Sequence, residues 1–214
     1  LSSELGFSFE LSTPAGGIEL TGKIDRIDAA GGYFRVVDYK SSDTRFVPGE
    51  LAAGTALQLP VYIEAARRSL EGTGLKPSGG YYMKIGDSYG EDEGEVLTKG
   101  RMRGISLGDA QALSLFSVTL PGGSFAAVDQ RVTSRGALHG QSKSFFSEQE
   151  LDGVLKYAQR MISSAAQRIY GGDNAICPVD GACDYCDYKS VCLLNTGYAG
   201  NARRPAELFD RAQL

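Results

Sequence analysis

Short runs of alternating apolar and polar residues dominate the first 40 positions of the chain. The runs Phe7 to Leu11, Ile18 to Asp28 and Tyr33 to Lys40 alternate with a period of two, which is typical of β-strands. Gly-Gly pairs at 16–17 and 31–32 separate the runs, as expected for tight turns. The pattern predicts three antiparallel strands.

The pattern changes to a helical one after the third strand. A helix is predicted across Leu51 to Leu70, and Pro60 inside it predicts a kink or a late start near Thr55. The run Gly80 to Ile85 then indicates a fourth core strand. The predicted order is three strands, a helix and one more strand.

The second half contains a long Gly-rich stretch and one strong helix. Residues 86–146 are predicted to form a loop-rich insertion, with short strands at Leu113 to Leu120 and Phe125 to Val132. The capping box at 147–150 predicts the start of a long helix over Glu148 to Tyr170. We expect its apolar stripe to pack across the sheet.

Length and composition indicate one globular domain. The chain has 214 residues, of which 42% are hydrophobic and 22% charged, so a full core is expected. We expect the core over 1–176, a Cys-rich motif over 177–194 and a tail over 195–214. No apolar run reaches the roughly 20 residues of a membrane span, so a cytoplasmic protein is expected. The start without Met suggests a fragment of a longer protein.

The second Gly-Gly turn decides which residues of the flanking strands face each other. If the Gly31-Gly32 pair forms the hairpin loop, Ala30 pairs with Tyr33 and, counting outward, Asp25 lies opposite Asp38. Like charges in directly paired positions destabilise a sheet unless they are neutralised. A divalent cation bound by both carboxylates would neutralise them.

The alternation adds a lysine to this pair of carboxylates. Lys40 is predicted on their face, which makes a small site suited to metal-assisted phosphodiester hydrolysis. The alternative is an ordinary solvated face, but the hairpin is apolar on both faces, so it should be covered. Asp28 opposite Arg35 is predicted to be a plain ion pair. The apolar residues are Ile27 and Val36 on the carboxylate face and Ile24, Val37 and Tyr39 on the other.

Three motifs in this order resemble a known family. They are Gly-x-Ile-Asp ending at Asp25, Asp-Tyr-Lys-Ser starting at Asp38, and Gln-x-x-x-Tyr from Gln58 to Tyr62. The set resembles the RecB-like form of the PD-(D/E)xK nuclease superfamily, and within it the C-terminal nuclease domain of AddB-type helicase-nuclease subunits. The resemblance implies an α/β, restriction-endonuclease-like core with a central mixed sheet flanked by helices, here without its first core helix.

The resemblance also implies a function. It implies Mg²⁺- or Mn²⁺-dependent exonuclease or endonuclease hydrolysis of DNA, within a helicase-nuclease complex for double-strand-break repair and recombination. A partner subunit with helicase or nuclease activity is implied as well. The implied site residues are Asp25, Asp38 and the Tyr39 backbone carbonyl for the metal, Lys40 for the attacking water and developing charge, and Gln58 and Tyr62 for supporting contacts.

Other interpretations stay open. Gln58 and Tyr62 are four apart, so they are also ordinary neighbours on a helix. The module could be a structural or DNA-guiding piece that no longer cuts, or a CRISPR-associated RecB-like exonuclease. The net charge of −4 argues against free-standing non-specific DNA binding and favours a subunit of a complex. The acidic run 87–95 and the basic Lys99 to Arg103 are most simply solvated, although the basic residues could meet a DNA backbone.

All four cysteines lie between Cys177 and Cys192. Without a secretory leader, shared metal ligation is favoured over disulfides, and iron-sulfur, zinc and reduced thiols are the alternatives. The resemblance implies that Cys183, Cys186 and Cys192 bind a [4Fe-4S] cluster together with a cysteine from before the core. Cys177 is a substitute for that fourth ligand. His139, in a Gly-rich loop, is interpreted as a surface residue.

Overall fold

The fold is a six-stranded mixed sheet with helices. The computed structural model describes residues 2–14, 16–86, 100–134, 138, 144–184 and 186–205. The strands lie side by side in the order of the chain. They are β1 (Ser2–Thr13), β2 (Gly16–Ala30), β3 (Tyr33–Lys40), β4 (Lys76–Lys84), β5 (Arg103–Leu107) and β6 (Phe145–Phe146).

Strand pairing confirms the predicted hairpin turn. Ala30 pairs with Tyr33, and Gly31 and Gly32 have φ of 54° and 85°, the left-handed values that such a turn needs. The strands β1, β2 and β3 are antiparallel, whereas β3 and β4 run parallel because a helical connection joins them. The predicted order of three strands, a helix and a further strand is present.

Five helices accompany the sheet in the described part of the chain. The helix predicted across Leu51 to Leu70 is interrupted: the segment forms two helices separated by a short turn, and the second begins at Gln58 rather than near Thr55. Pro60 is the third residue of the second one, a position where the missing N–H breaks no helical hydrogen bond. The helices are α1 (Pro48–Ala52), α2 (Gln58–Ser69), α3 (Ala110–Ser114), α4 (Glu148–Tyr170) and α5 (Lys189–Cys192).

The bounds of α4 agree with the prediction. The Ser147 side chain accepts a hydrogen bond from the Glu150 backbone N–H, and the Glu150 carboxylate accepts one from the Ser147 N–H at 2.8 Å. The helix buries one stripe against α2 and the sheet. Its buried residues include Leu151, Val154, Leu155 and Ala158.

The segment between β4 and α4 differs from the prediction. The strands predicted at 113–120 and 125–132 are absent from the described residues, because α3 occupies 110–114 and the pairing there consists of isolated bridges. Residues 103–107, predicted within the insertion, instead form β5 of the main sheet. The segment covers the second face of the sheet. Its apolar residues there are Met102, Leu113, Phe125 and Val128, packed with Val37 and Tyr81.

Ile24 lies on a different face from the one predicted. It belongs to the main core cluster together with Ile27 and Val36, so the strict alternation of β2 is interrupted between positions 24 and 27. Glu4, which faces this part of β2, has a φ of 59°, in the left-handed region. The β1–β2 pairing skips one position here, between the pairs Ser3–Arg26 and Leu5–Ile24, and Asp25 lies at the skipped position.

The C-terminal segment returns to the helices after β3. Arg204 donates a hydrogen bond of 2.8 Å to the Ala53 carbonyl, and Val179 forms a bridge with Arg204. All four cysteines are described and are free thiols, with Cys186 and Cys192 exposed. No helix within the described residues is long and apolar enough to cross a bilayer.

Asp28 and Arg35 form the predicted cross-strand ion pair. Arg35 Nε donates to Asp28 Oδ2 at 2.9 Å and Arg26 Nε to Oδ1 at 2.7 Å. Burial raises the pKa of Asp28, but the hydrogen bonds from Arg26 and Arg35 outweigh it and leave this pKa below its usual value. Arg35 also stacks on Phe116, which ties the covering segment to the sheet.

The Asp28 pair should give a pH-dependent contribution to stability. We expect Asp28→Asn to lower the free energy of unfolding by about 1 kcal/mol at pH 7. Because the folded-state pKa is lowered, this difference is present above the unfolded-state pKa, near 4, and is lost as the pH falls through the folded-state pKa. Urea unfolding of both proteins between pH 7 and 3 measures it. A difference that does not shrink towards pH 3 would contradict the assignment.

Candidate active site

The predicted site lies where the β2–β3 ladder ends. The last described pair is Arg26 with Val37, so the ladder stops one residue before the predicted Asp25–Asp38 pair. Beyond it, the Asp25 carboxylate accepts a hydrogen bond of 2.8 Å from the backbone N–H of Tyr39. The Asp25 side chain thus bridges β2 and β3 at this point, and the hydrogen bond keeps its carboxylate beside the end of β3.

Asp38 is the buried centre of the site. Its exposed fraction is 4%, and its Oδ2 atom lies 2.7 Å from Lys40 Nζ. Burial raises the pKa of Asp38; the Lys40 ammonium lowers it and the nearby Asp25 raises it further, and the net direction is upward.

Helix α2 completes a network of polar contacts. The Gln58 side chain accepts a hydrogen bond from Lys40 Nζ at 2.9 Å and donates to Asp38 Oδ1 at 3.2 Å. It also lies 3.2 Å from the Tyr62 hydroxyl, one helical turn further along. The two helix residues are therefore in the same cluster as the carboxylate and the lysine. The structure brings together Asp25, Asp38, Lys40, Gln58 and Tyr62.

Tyr82 on β4 is a neighbour that the sequence did not reveal. It pairs with Asp38 across the parallel β3–β4 ladder, and Lys40 Nζ lies 5.3 Å from the centre of its ring. Burial raises the pKa of Tyr82 to about 12, with smaller contributions from Asp38, Glu50 and Tyr62. A long crossover connection joins β3 to β4, so the register of these two strands cannot be counted from a tight turn. No signal in the sequence therefore places Tyr82 beside Asp38.

The donor set fits a divalent cation. Asp38 Oδ2 is buried and, apart from its ion pair with Lys40, has no aligned hydrogen-bond donor among the described residues. Mg²⁺ prefers oxygen ligands and commonly uses one or two carboxylates while it keeps several waters. Asp25 and Asp38 supply such a pair. Within the described ranges, no group of three or more His, Cys, Asp or Glu residues is close enough to hold a metal.

The four cysteines are described but do not form a metal site. Cys177, Cys183, Cys186 and Cys192 are not gathered into a group that could share a metal. Cys177 and Cys183 are half-buried, whereas the other two thiols face solvent.

Of the remaining charged candidates, Arg101 and Arg103 are the ones that the structure describes. The acidic run 87–95, Lys99 and His139 lie outside the described residues. Arg103 is occupied by an ion pair, since its Nη1 atom lies 2.8 Å from both carboxylate oxygens of Asp43.

Comparison with known protein families assigns the chain to a class of nucleases. A sequence profile of the PD-(D/E)XK nuclease superfamily matches residues 1–193. The chain belongs to the PD-(D/E)XK nuclease superfamily. The resemblance carried by its motifs and the predicted α/β fold are thereby confirmed.

Individual relatives point to one group of this superfamily, the AddB-type subunits of ATP-dependent helicase/deoxyribonucleases. The chain is 30% identical to such a protein from Thermoanaerobacter sp. (strain X514) over 86% of its length. It is 32% identical to the protein of the same name from Bacillus subtilis (strain 168) over 88%, and to that from Bacillus cereus (strain G9842) over 91%. The chain spans 18% of the length of each of these relatives.

Proposed function

We propose that this chain is a metal-dependent nuclease domain that hydrolyses phosphodiester bonds of DNA. The observation that carries the proposal is the buried Asp38 carboxylate, which is ion-paired with Lys40 and lies beside Asp25. A buried carboxylate between a second acid and an ammonium costs stability, so such a group is most readily explained by chemistry at that place.

The residues have distinct roles in this proposal. Asp25, Asp38 and the Tyr39 carbonyl would hold one Mg²⁺ or Mn²⁺, which supplies Lewis-acid polarisation of the phosphate and activation of water. Lys40 presents its ammonium to the phosphate oxygens or to the attacking water. Gln58 holds Lys40 and Asp38 in place through hydrogen bonds of 2.9 and 3.2 Å.

Tyr62 supports the Gln58 amide from the next turn of α2. The hydroxyl and the amide lie 3.2 Å apart, so Tyr62 restricts the rotation of the Gln58 side chain. The Gln58 side chain thus links α2 to the Asp38 carboxylate. Asp38, Lys40, Gln58 and Tyr62 are thus linked through the Gln58 side chain before any metal or DNA binds.

The context of the domain is also part of the proposal. The names of the relatives and the net charge of −4 support a cytoplasmic subunit that works with a helicase partner on DNA, in repair and recombination. The core, Cys-rich motif and tail over 1–176, 177–194 and 195–214 remain the proposed organisation. The iron-sulfur assignment stays a prediction. Iron and sulfide analysis of protein purified without oxygen tests it.

A metal-titration experiment tests the function. We expect the purified protein to degrade linear DNA with Mg²⁺ or Mn²⁺ and to stop when EDTA is added, because the phosphate charge must be neutralised during hydrolysis. Restoring the metal should restore cleavage. Calorimetric titration of Mn²⁺ without DNA gives an independent measure of the site.

Two outcomes separate this proposal from its alternative. Metal binding without cleavage of single-stranded or double-stranded DNA would contradict nuclease activity. Neither binding nor cleavage would favour a structural or DNA-guiding module with a decayed site.

A further inference from the structure

Lys40 is held by contacts on three sides. Its Nζ atom lies 2.7 Å from Asp38 Oδ2 and 2.9 Å from Gln58 Oε1, and the ring centre of Tyr82 lies 5.3 Å away. A lysine side chain is long and flexible, and its ammonium has three N–H donors. Two oxygens and an aromatic face together define one position for this group.

The ring of Tyr82 is a fixed surface. Its exposed fraction is 8%, and it is part of the main core cluster. The ladder partner of Tyr82 is Asp38, so the strand pairing itself places the ring beside the carboxylate that contacts Lys40. The ring is anchored by packing and by the sheet, whereas Lys40 is 28% exposed and depends on its neighbours.

An aromatic face attracts an ammonium without using an N–H donor. The attraction comes from the ring quadrupole and acts within about 6 Å of the ring centre. An oxygen in the place of the ring would occupy the third N–H of Lys40. The ring leaves that donor for a ligand.

We propose that Tyr82 is a positioning residue whose ring holds the Lys40 ammonium against Asp38 and Gln58, with one N–H left for a substrate phosphate. The ring face performs this role, and the Tyr82 hydroxyl is dispensable for it. The proposal rests on the proposed nuclease function for its kinetic consequence, but the placement of Lys40 can be measured independently of activity.

Kinetics of two Tyr82 variants test the role. We expect Tyr82→Leu to lower kcat for DNA hydrolysis about tenfold, which corresponds to about 1.4 kcal/mol of transition-state stabilisation, with KM unchanged. Tyr82→Phe retains the ring and should keep kcat within about twofold of the wild type. Rescue by phenylalanine is not expected if Tyr82 acts through its hydroxyl.

Tyr81→Leu is the matched control for loss of packing. Tyr81 is the preceding residue on β4, is 2% exposed and packs with Met102 and Phe125 on the second face of the sheet, away from Lys40. We expect Tyr81→Leu to lower the melting temperature at least as much as Tyr82→Leu, while kcat measured well below that temperature stays near wild type. Equal losses of kcat in both variants would overturn the proposal.

NMR of lysine-labelled protein gives the readout that does not depend on activity. Protons above an aromatic face are shifted upfield by the ring current, so the ε-methylene protons of Lys40 should be upfield of those of other lysines. The shift should persist in Tyr82→Phe and disappear in Tyr82→Leu. An unshifted Lys40 in the wild type overturns the proposal even if Tyr82→Leu does not fold. A wild type that shows the shift but cuts no DNA overturns the proposed function and leaves the placement supported.

Discussion

Asp38→Asn is expected to reduce DNA cleavage by at least about 1,000-fold while the protein stays folded. Asparagine has nearly the same shape as aspartate, but a neutral amide cannot supply the charge that a divalent cation and Lys40 require. Burial already raises the pKa of Asp38, so removing its charge should cost little folding free energy. Cleavage rates with saturating Mg²⁺ and a melting curve measure the two effects.

Asp28→Asn is the matched control for this experiment. Asp28 lies on the same hairpin, but it pairs with Arg35 and Arg26 rather than with Lys40. We expect the opposite pattern, with lower stability and unchanged cleavage. If Asp38→Asn keeps more than a tenth of the wild-type rate, or if both variants lose activity equally, Asp38 is not a member of the catalytic site.

Gly104→Ala is expected to lower the free energy of unfolding strongly. A Cβ atom at this position would lie 2.0 Å from the Gly80 carbonyl oxygen and 2.8 Å from Tyr81 Cα, both on the neighbouring strand β4. Backbone atoms cannot move aside without separating β4 from β5. We expect a loss of at least about 3 kcal/mol and a fall in melting temperature of about 10 °C. Thermal unfolding followed by circular dichroism measures it.

Gly6→Ala provides the comparison in β1. A Cβ at Gly6 has no described atom within 4 Å, and both glycines lie in strands that pair with a neighbour. We expect a change within about 1 kcal/mol, because only backbone freedom and local propensity differ. A small effect of Gly104→Ala, similar to that of Gly6→Ala, would show that β4 and β5 do not approach as closely as described.

Features set by local chemistry could be predicted from the sequence. The Gly31-Gly32 turn requires positive φ at both residues, so it fixed the register of the hairpin from Ala30 and Tyr33 outward. The Ser147 capping box likewise defined the start of α4. The contacts of Gln58 could be predicted only in outline, since its position on one helical face with Tyr62 says nothing about which strand the face meets.

Features set by long-range packing could not be predicted. Ile24 breaks the alternation of β2 where the β1–β2 pairing skips Glu4 and Asp25, and a local irregularity of this kind leaves no periodic pattern in the sequence. The strand at 103–107 is short and rich in small residues, and it exists because β4 provides a partner. The segment 113–132 has strand-like residues but no continuous partner strand among the described residues, so beyond the end of α3 at Ser114 it forms only isolated bridges over the sheet.

The polar contact between Asp38 and Gln58 joins residues that are close in the sequence, which favours its formation early in folding. The hydrogen bond from Gln58 to Asp38 closes a separation of 20 residues, whereas the bond from Arg204 to Ala53 closes one of 151. Loop closure costs more entropy as the separation grows. We expect the hairpin and α2 to associate early and the C-terminal segment to dock late. The candidate active site would then form in the part of the domain that folds first, and the C-terminal segment would stabilise the domain only after it has docked.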